Sequence, residues 1–163
     1  MTSKLFRTVF LGISLILAAL VPLTADTWYN SLSAHADANN EWVYNAMHIF
    51  SCLFLFLNAH AQKRNFDYIV GLGMIGILLT NMNDYPVLHN LFTGITLIAA
   101  LFGMLYYCSK RNRVVNIFLS VGVSMMFLVG YFTTGVYFAL AEIVVIHMLG
   151  VHYLRRIWIN SKA

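Results

Sequence analysis

Apolar residues gather into six runs along the chain, 6–23, 42–61, 68–80, 87–108, 114–133 and 136–154, separated by polar connections. A helix that crosses a bilayer core needs about 20 mainly apolar residues. Every run but the third meets that length, and the isolated glycines inside them are tolerated in transmembrane helices. The third covers about 20 Å of a core about 30 Å thick. It continues as Asn81-Met82-Asn83-Asp84-Tyr85-Pro86. Polar backbone at such a depth is stable where it lines protein or a wet cavity, so one expectation is a helix that stops early beside a pocket. Helix tilt or local thinning of the bilayer is the other. The pattern predicts an all-α fold: a polytopic transmembrane helical bundle of six spans, with residues 1–163 as a single integral membrane domain.

Polar positions inside the runs repeat at helical spacing. Glu41, Asn45, His48 and Cys52 fall on one face of the second helix, because residues three and four apart share a face. His89, Thr93, Thr96 and Gly103 do the same on the fourth, and Gly73, Gly76, Thr80 and Asn83 on the third. Small residues let membrane helices approach closely, and polar ones hydrogen-bond across the contact. Helices two, three and four are therefore expected to pack around these stripes, bringing His48, His89 and Asp84 near one another.

Composition supports the same class. The chain is 60% hydrophobic and 10% charged, against about 25% charged in a soluble domain. A net charge of +4 would suit nucleic acid in a soluble protein. Here the basic residues sit in short clusters between apolar runs, which argues for topology and against that partner. Lys4 and Arg7 open the first span, and Lys63 and Arg64 follow the second. Lys110, Arg111 and Arg113 follow the fourth, and Arg155, Arg156 and Lys162 the sixth. All of them fall on one side of an alternating topology. Basic connections stay in the cytosol, so both termini are expected to be cytoplasmic, in a plasma membrane or a bacterial inner membrane. The first span has the basic start and apolar stretch of a secretory signal as well. Its length and the poor cleavage sequence Leu23-Thr24-Ala25 favour a retained span. Cys52 and Cys108 lack metal-type spacing and read as buried thiols.

This orientation hands the scarce carboxylates and imidazoles to the outer side. Asp26, His35, Asp37, Glu41 and Asp84 fall in outer connections or at outer helix ends, with Asn45, His48 and His89 in the turns below. Glu142 lies about 8–10 Å down the sixth helix. A carboxylate at that depth costs roughly 2.5–3.5 kcal/mol or more, so it has to be protonated, paired or hydrated. Asp67 is the exception, on the inner side, where Arg64 is its expected partner. Plainer roles exist. Asp84 can cap the fourth helix, since Pro86 suits a first helical position. His35, His60, His89 and His152 suit the membrane interface.

Three chemistries fit these residues. The first is an outward-facing polar pocket for a small ligand, a lipid headgroup or a divalent metal such as zinc. Its candidates are His48, Asp84, His89 and Glu142, with Glu41 at the rim, and Glu142 as proton acceptor if a water is activated. A metal-dependent membrane hydrolase would be its enzymatic form. Membrane zinc amidases, the family that includes alkaline ceramidases, use intramembrane histidines, an aspartate and a serine. Ser51 follows His48 here, but no HxxxH pair is present, so that pattern is not reproduced. The second is electron transfer through b-type haem, with His48/His89 and His60/His152 as axial pairs. The third is a structural or accessory subunit of a membrane complex, or a homo-oligomer, in which the stripes serve packing alone. Proton-coupled transport through Glu142 and His147 would need an oligomer to supply a pathway.

The stretches NDYPVLHNLFTG, from Asn83, and YFALAEIVV, from Tyr137, resemble the DRAM/Frag-like group of polytopic membrane proteins. The resemblance implies about six spans, a membrane location and Asp84, His89 and Glu142 as shared positions. It implies no settled enzymatic activity. Ile143 stands where that group typically carries an aromatic residue.

Overall fold

The computed structural model describes residues 4–26, 31–34, 39–80, 82–107, 113–132 and 136–158. They form six helices: α1 (Lys4–Thr24), α2 (Glu41–Gln62), α3 (Asn65–Leu79), α4 (Pro86–Tyr106), α5 (Arg113–Phe132) and α6 (Val136–Trp158). No strand occurs among the described residues. Helices α1, α2 and α4 are long and apolar enough to cross a membrane, whereas α3 and the stretch Arg113–Met126 of α5 are shorter apolar helices. His35, Asp37, Cys108, Lys110, Arg111 and Lys162 lie outside the described residues.

Each helix packs on the next in the chain, and α6 returns to pack on α1, so the six close into a ring. The α1–α2 and α3–α4 connections lie at one end, called upper below. The start of α1, the α2–α3 turn and the last turn of α6 lie at the lower end. Local sequence explains the turns. Lys63 takes the left-handed conformation (φ 52°) after α2, and the Arg64 N–H bonds back to the Ala59 carbonyl at 3.0 Å, a common way to satisfy the last carbonyls of a helix. Pro86 opens α4 in the first turn, where its missing N–H costs nothing,. At the upper end, the Asn40 amide donates to the Val21 carbonyl and to Thr24 Oγ1, at 2.5 and 2.8 Å, which ties α1 to α2.

The stripe of small residues on α3 brings it close to α4. A Cβ at Gly73 would lie 2.1 Å from Thr96 Oγ1, and one at Gly76 would lie 2.3 Å from the Phe92 ring. Helices therefore meet there at a separation that only glycine permits. Helix α3 stops at Leu79, and Thr80 is extended. The short third run is thus a short helix.

Large apolar side chains cover the outside of the ring, among them Leu72, Leu79, Val87, Phe118 and Phe132. The inside combines two apolar clusters with buried polar groups such as Arg7, Asn58, Asp67 and His152. The apolar outside suits a lipid environment.

The lower end carries a buried network that the reading of basic residues as topology signals alone had missed. Helix α3 begins at Asn65, earlier than the run 68–80 predicts, which puts Asp67 in its first turn and 1% exposed. The Asn58 amide donates to one carboxylate oxygen of Asp67 at 2.7 Å, and the Tyr153 hydroxyl to the other at 3.2 Å. Arg7 Nη1 donates to Asn58 Oδ1 at 2.9 Å. Arg64 remains close enough to attract the Asp67 carboxylate through space, but the hydrogen bonds come from neutral donors, and the Arg64 guanidinium lies over the Tyr107 ring. Helix α6 likewise runs past Leu154 to Trp158, because Arg156 turns inward rather than marking a solvated end. Its guanidinium donates to the Gly103 and Tyr107 carbonyls at 3.3 and 2.6 Å. Those are the last carbonyls of α4, where a cation is favoured.

Candidate functional site

The upper half of the ring holds a half-open cavity of about 150 Å³. A cavity of about that size lined by apolar side chains holds a benzene-sized molecule. Its walls come from α2, α3, α4, α5 and α6, and its roof from the α1–α2 connection. Most of the lining is apolar: Met47, Met74, Ile77, Leu97, Met126 and Leu149 are representative. Against this background stand His48 from α2, His89, Thr93 and Thr96 from α4, and Glu142 from α6.

Two histidines are held in the same way. His48 Nδ1 lies 3.1 Å from the Tyr44 carbonyl, one helical turn back. His89 Nδ1 lies 2.6 Å from the Thr80 carbonyl. A carbonyl only accepts, so each Nδ1 carries a proton, and in the neutral ring Nε2 is the acceptor. The Thr80 carbonyl is available because α3 stops at Leu79 and Thr80 is extended. The early stop of α3 thus sets the tautomer of His89. Both rings are buried, at 4% and 5% exposure, and the Tyr44 ring packs against His48 at 4.3 Å.

Glu142 accepts the Leu32 N–H at 2.6 Å through Oε2. Leu32 itself is buried among Val21, Val43 and Met47. The carboxylate therefore pins a short turn of the α1–α2 connection over the cavity, and Oε1 remains as acceptor. Thr93 donates its hydroxyl to the His89 carbonyl at 2.9 Å. Thr96 Oγ1 is buried with no hydrogen-bond partner. A buried polar atom left unpaired costs about 1–3 kcal/mol.

The structure thus brings His48, His89 and Glu142 to one cavity and leaves two predicted members out. Asp84 is exposed in the turn before α4. It does not cap that helix either, for Tyr85 holds the cap position and makes no side-chain bond. Pro86 fixes the start of α4 one residue too late for Asp84 to reach. Glu41 is exposed in the first turn of α2, accepting from Asn45 at 3.0 Å. Among the described residues, no three His, Cys, Asp or Glu side chains form a group that could hold a metal ion.

The inner haem pair is not formed. His152 is 1% exposed rather than interfacial. Its two ring nitrogens meet Asn116 Oδ1 at 3.3 Å and Arg156 Nη1 at 3.2 Å. His60 is exposed. Glu142 and His147 line different cavities, which separates the two residues a proton path would have joined. Cys52 is a buried free thiol, directed at the Gly71 carbonyl at 3.6 Å.

Thr96, Tyr44 and the Leu32 turn went unremarked as site residues in the sequence. Thr96 lay on a noted stripe, but nothing in a linear pattern shows a hydroxyl without a partner.

The sequence model of a family of unknown function (DUF7103) matches residues 12–156. No curated protein and no solved structure matches the chain.

Proposed function

The chain belongs to the DUF7103 family, and on that premise we propose that it is a membrane-embedded binding protein for a small amphiphile. It spans the bilayer six times with both termini in the cytosol, and the upper cavity opens toward the outer side. The ligand's polar group sits among His48, His89 and Glu142, and its apolar part against the methionine and leucine walls.

The observation that carries this reading is the cavity itself: polar side chains from separate helices converge in an apolar enclosure. Ligand sites have that composition, mostly apolar with a few convergent polar groups. A pure packing role would fill the space, since membrane helices associate by close contact. The basic lower end and the cation-free upper cavity support the orientation.

Extraction of the protein purified in mild detergent, followed by mass spectrometry of the extract, tests the reading. A small amphiphile should co-purify with the parent protein and be lost from Ala141→Phe, which fills the cavity at a buried lining position. Identical extracts from the two, with the variant folded, would refute it and favour an accessory subunit.

A further inference from the structure

The polar groups of the upper cavity are biased toward acceptors. His48 and His89 have both spent their Nδ1 protons on backbone carbonyls, so each ring has only the Nε2 lone pair left. Glu142 has one oxygen engaged by the Leu32 N–H and one remaining. Thr93 has already donated its proton to the His89 carbonyl. Among the described residues, no lysine or arginine lines the cavity. The lining hydroxyls of Ser33, Tyr44 and Thr96 are the remaining donors, and that of Thr96 is unpartnered.

Taking the cavity as a ligand site, we propose that its ligand carries a primary amine, bound as the ammonium against the Glu142 carboxylate. An ammonium presents donors and no acceptor, which complements this set. A carboxylate or phosphate head would meet lone pairs and a like charge. A neutral alcohol offers a single donor to several acceptors. The carboxylate supplies the charge match, and a charge-assisted hydrogen bond is roughly twice as strong as a neutral one. The benzene-sized enclosure sets the apolar part as an aryl group or a short alkyl segment.

Three molecules of matched shape separate the possibilities: phenylpropylamine, phenylpropanol and phenylpropionate. Their binding is measured by calorimetry on the full chain in nanodiscs. The amine is expected to bind roughly tenfold more tightly than either analogue, about the value of one charged hydrogen bond. Glu142→Gln should erase that preference by lowering the amine's affinity far more than the alcohol's, and the amide oxygen can still accept from Leu32. An unchanged melting temperature without ligand shows that the variant is folded. Should the alcohol or acid match the amine, and should Ala141→Phe abolish its binding, the amine assignment falls while the cavity remains a ligand site. Should none of the three bind, the assignment falls too, and the co-purification result decides the fate of the cavity reading by itself.

Discussion

Replacing Asp67 by alanine tests whether the lower-end network holds the ring together. The carboxylate is 1% exposed and accepts from Asn58 and Tyr153. Hydrogen bonds to charged groups contribute about 1.5–3 kcal/mol each, so removing both costs about 3–6 kcal/mol. Asp67 is the acid in a network that also holds Arg7, through Asn58. For a chain of this length each kcal/mol corresponds to roughly 2–4 °C, giving an expected fall of roughly 6–24 °C in the melting temperature. The assay is loss of the monodisperse peak in size-exclusion chromatography after heating in detergent. Asp67→Asn keeps the shape and one acceptor, so it should fall by about half as much. A melting temperature for Asp67→Ala within about 2 °C of the parent would show that the network is incidental.

Other outcomes follow from the same geometry. Gly76→Val should weaken the α3–α4 contact by about 1–3 kcal/mol, read as lower thermal stability, because its Cβ would land on the Phe92 ring. Asn40→Ala should cost about 1–3 kcal/mol in the same assay, since the amide joins the Val21 carbonyl to Thr24,. In a background without native cysteines, Asp84→Cys should react with an impermeant thiol reagent on intact cells and His60→Cys should not. Both positions are exposed, at opposite ends of the ring, so the reverse pattern would overturn the orientation.

Much of the fold is legible in the chain because each apolar run is bounded by strong punctuation. Pro86 starts α4, and the polar stretch after Thr80 ends α3. The glycines of α3 announce a close contact by their spacing, and the contact lies on α4. His48, His89 and Glu142 were visible as polar residues at matching depth, and they share a cavity. Depth was a poor guide for Asp84 and Glu41, which are exposed. Depth along a helix does not tell which way a side chain points, and residues at helix ends have water as an alternative. The lower end failed for a different reason. Arg7 and Arg156 look like boundary markers in a hydropathy pattern, yet both are buried, and their guanidinium groups meet Asn58 and the end of α4. A charge that ends one helix and caps another reads the same in one dimension.

Closure of the ring through α1 and α6 bears on how the protein is made. Ribosomes deliver helices in order, so five of the six are made before the wall carrying Glu142 exists. Until α6 docks, the ring stands open on that side. On the proposed function, ligand capture would then be a late event in biogenesis, and the ligand would act as a latch on the finished molecule.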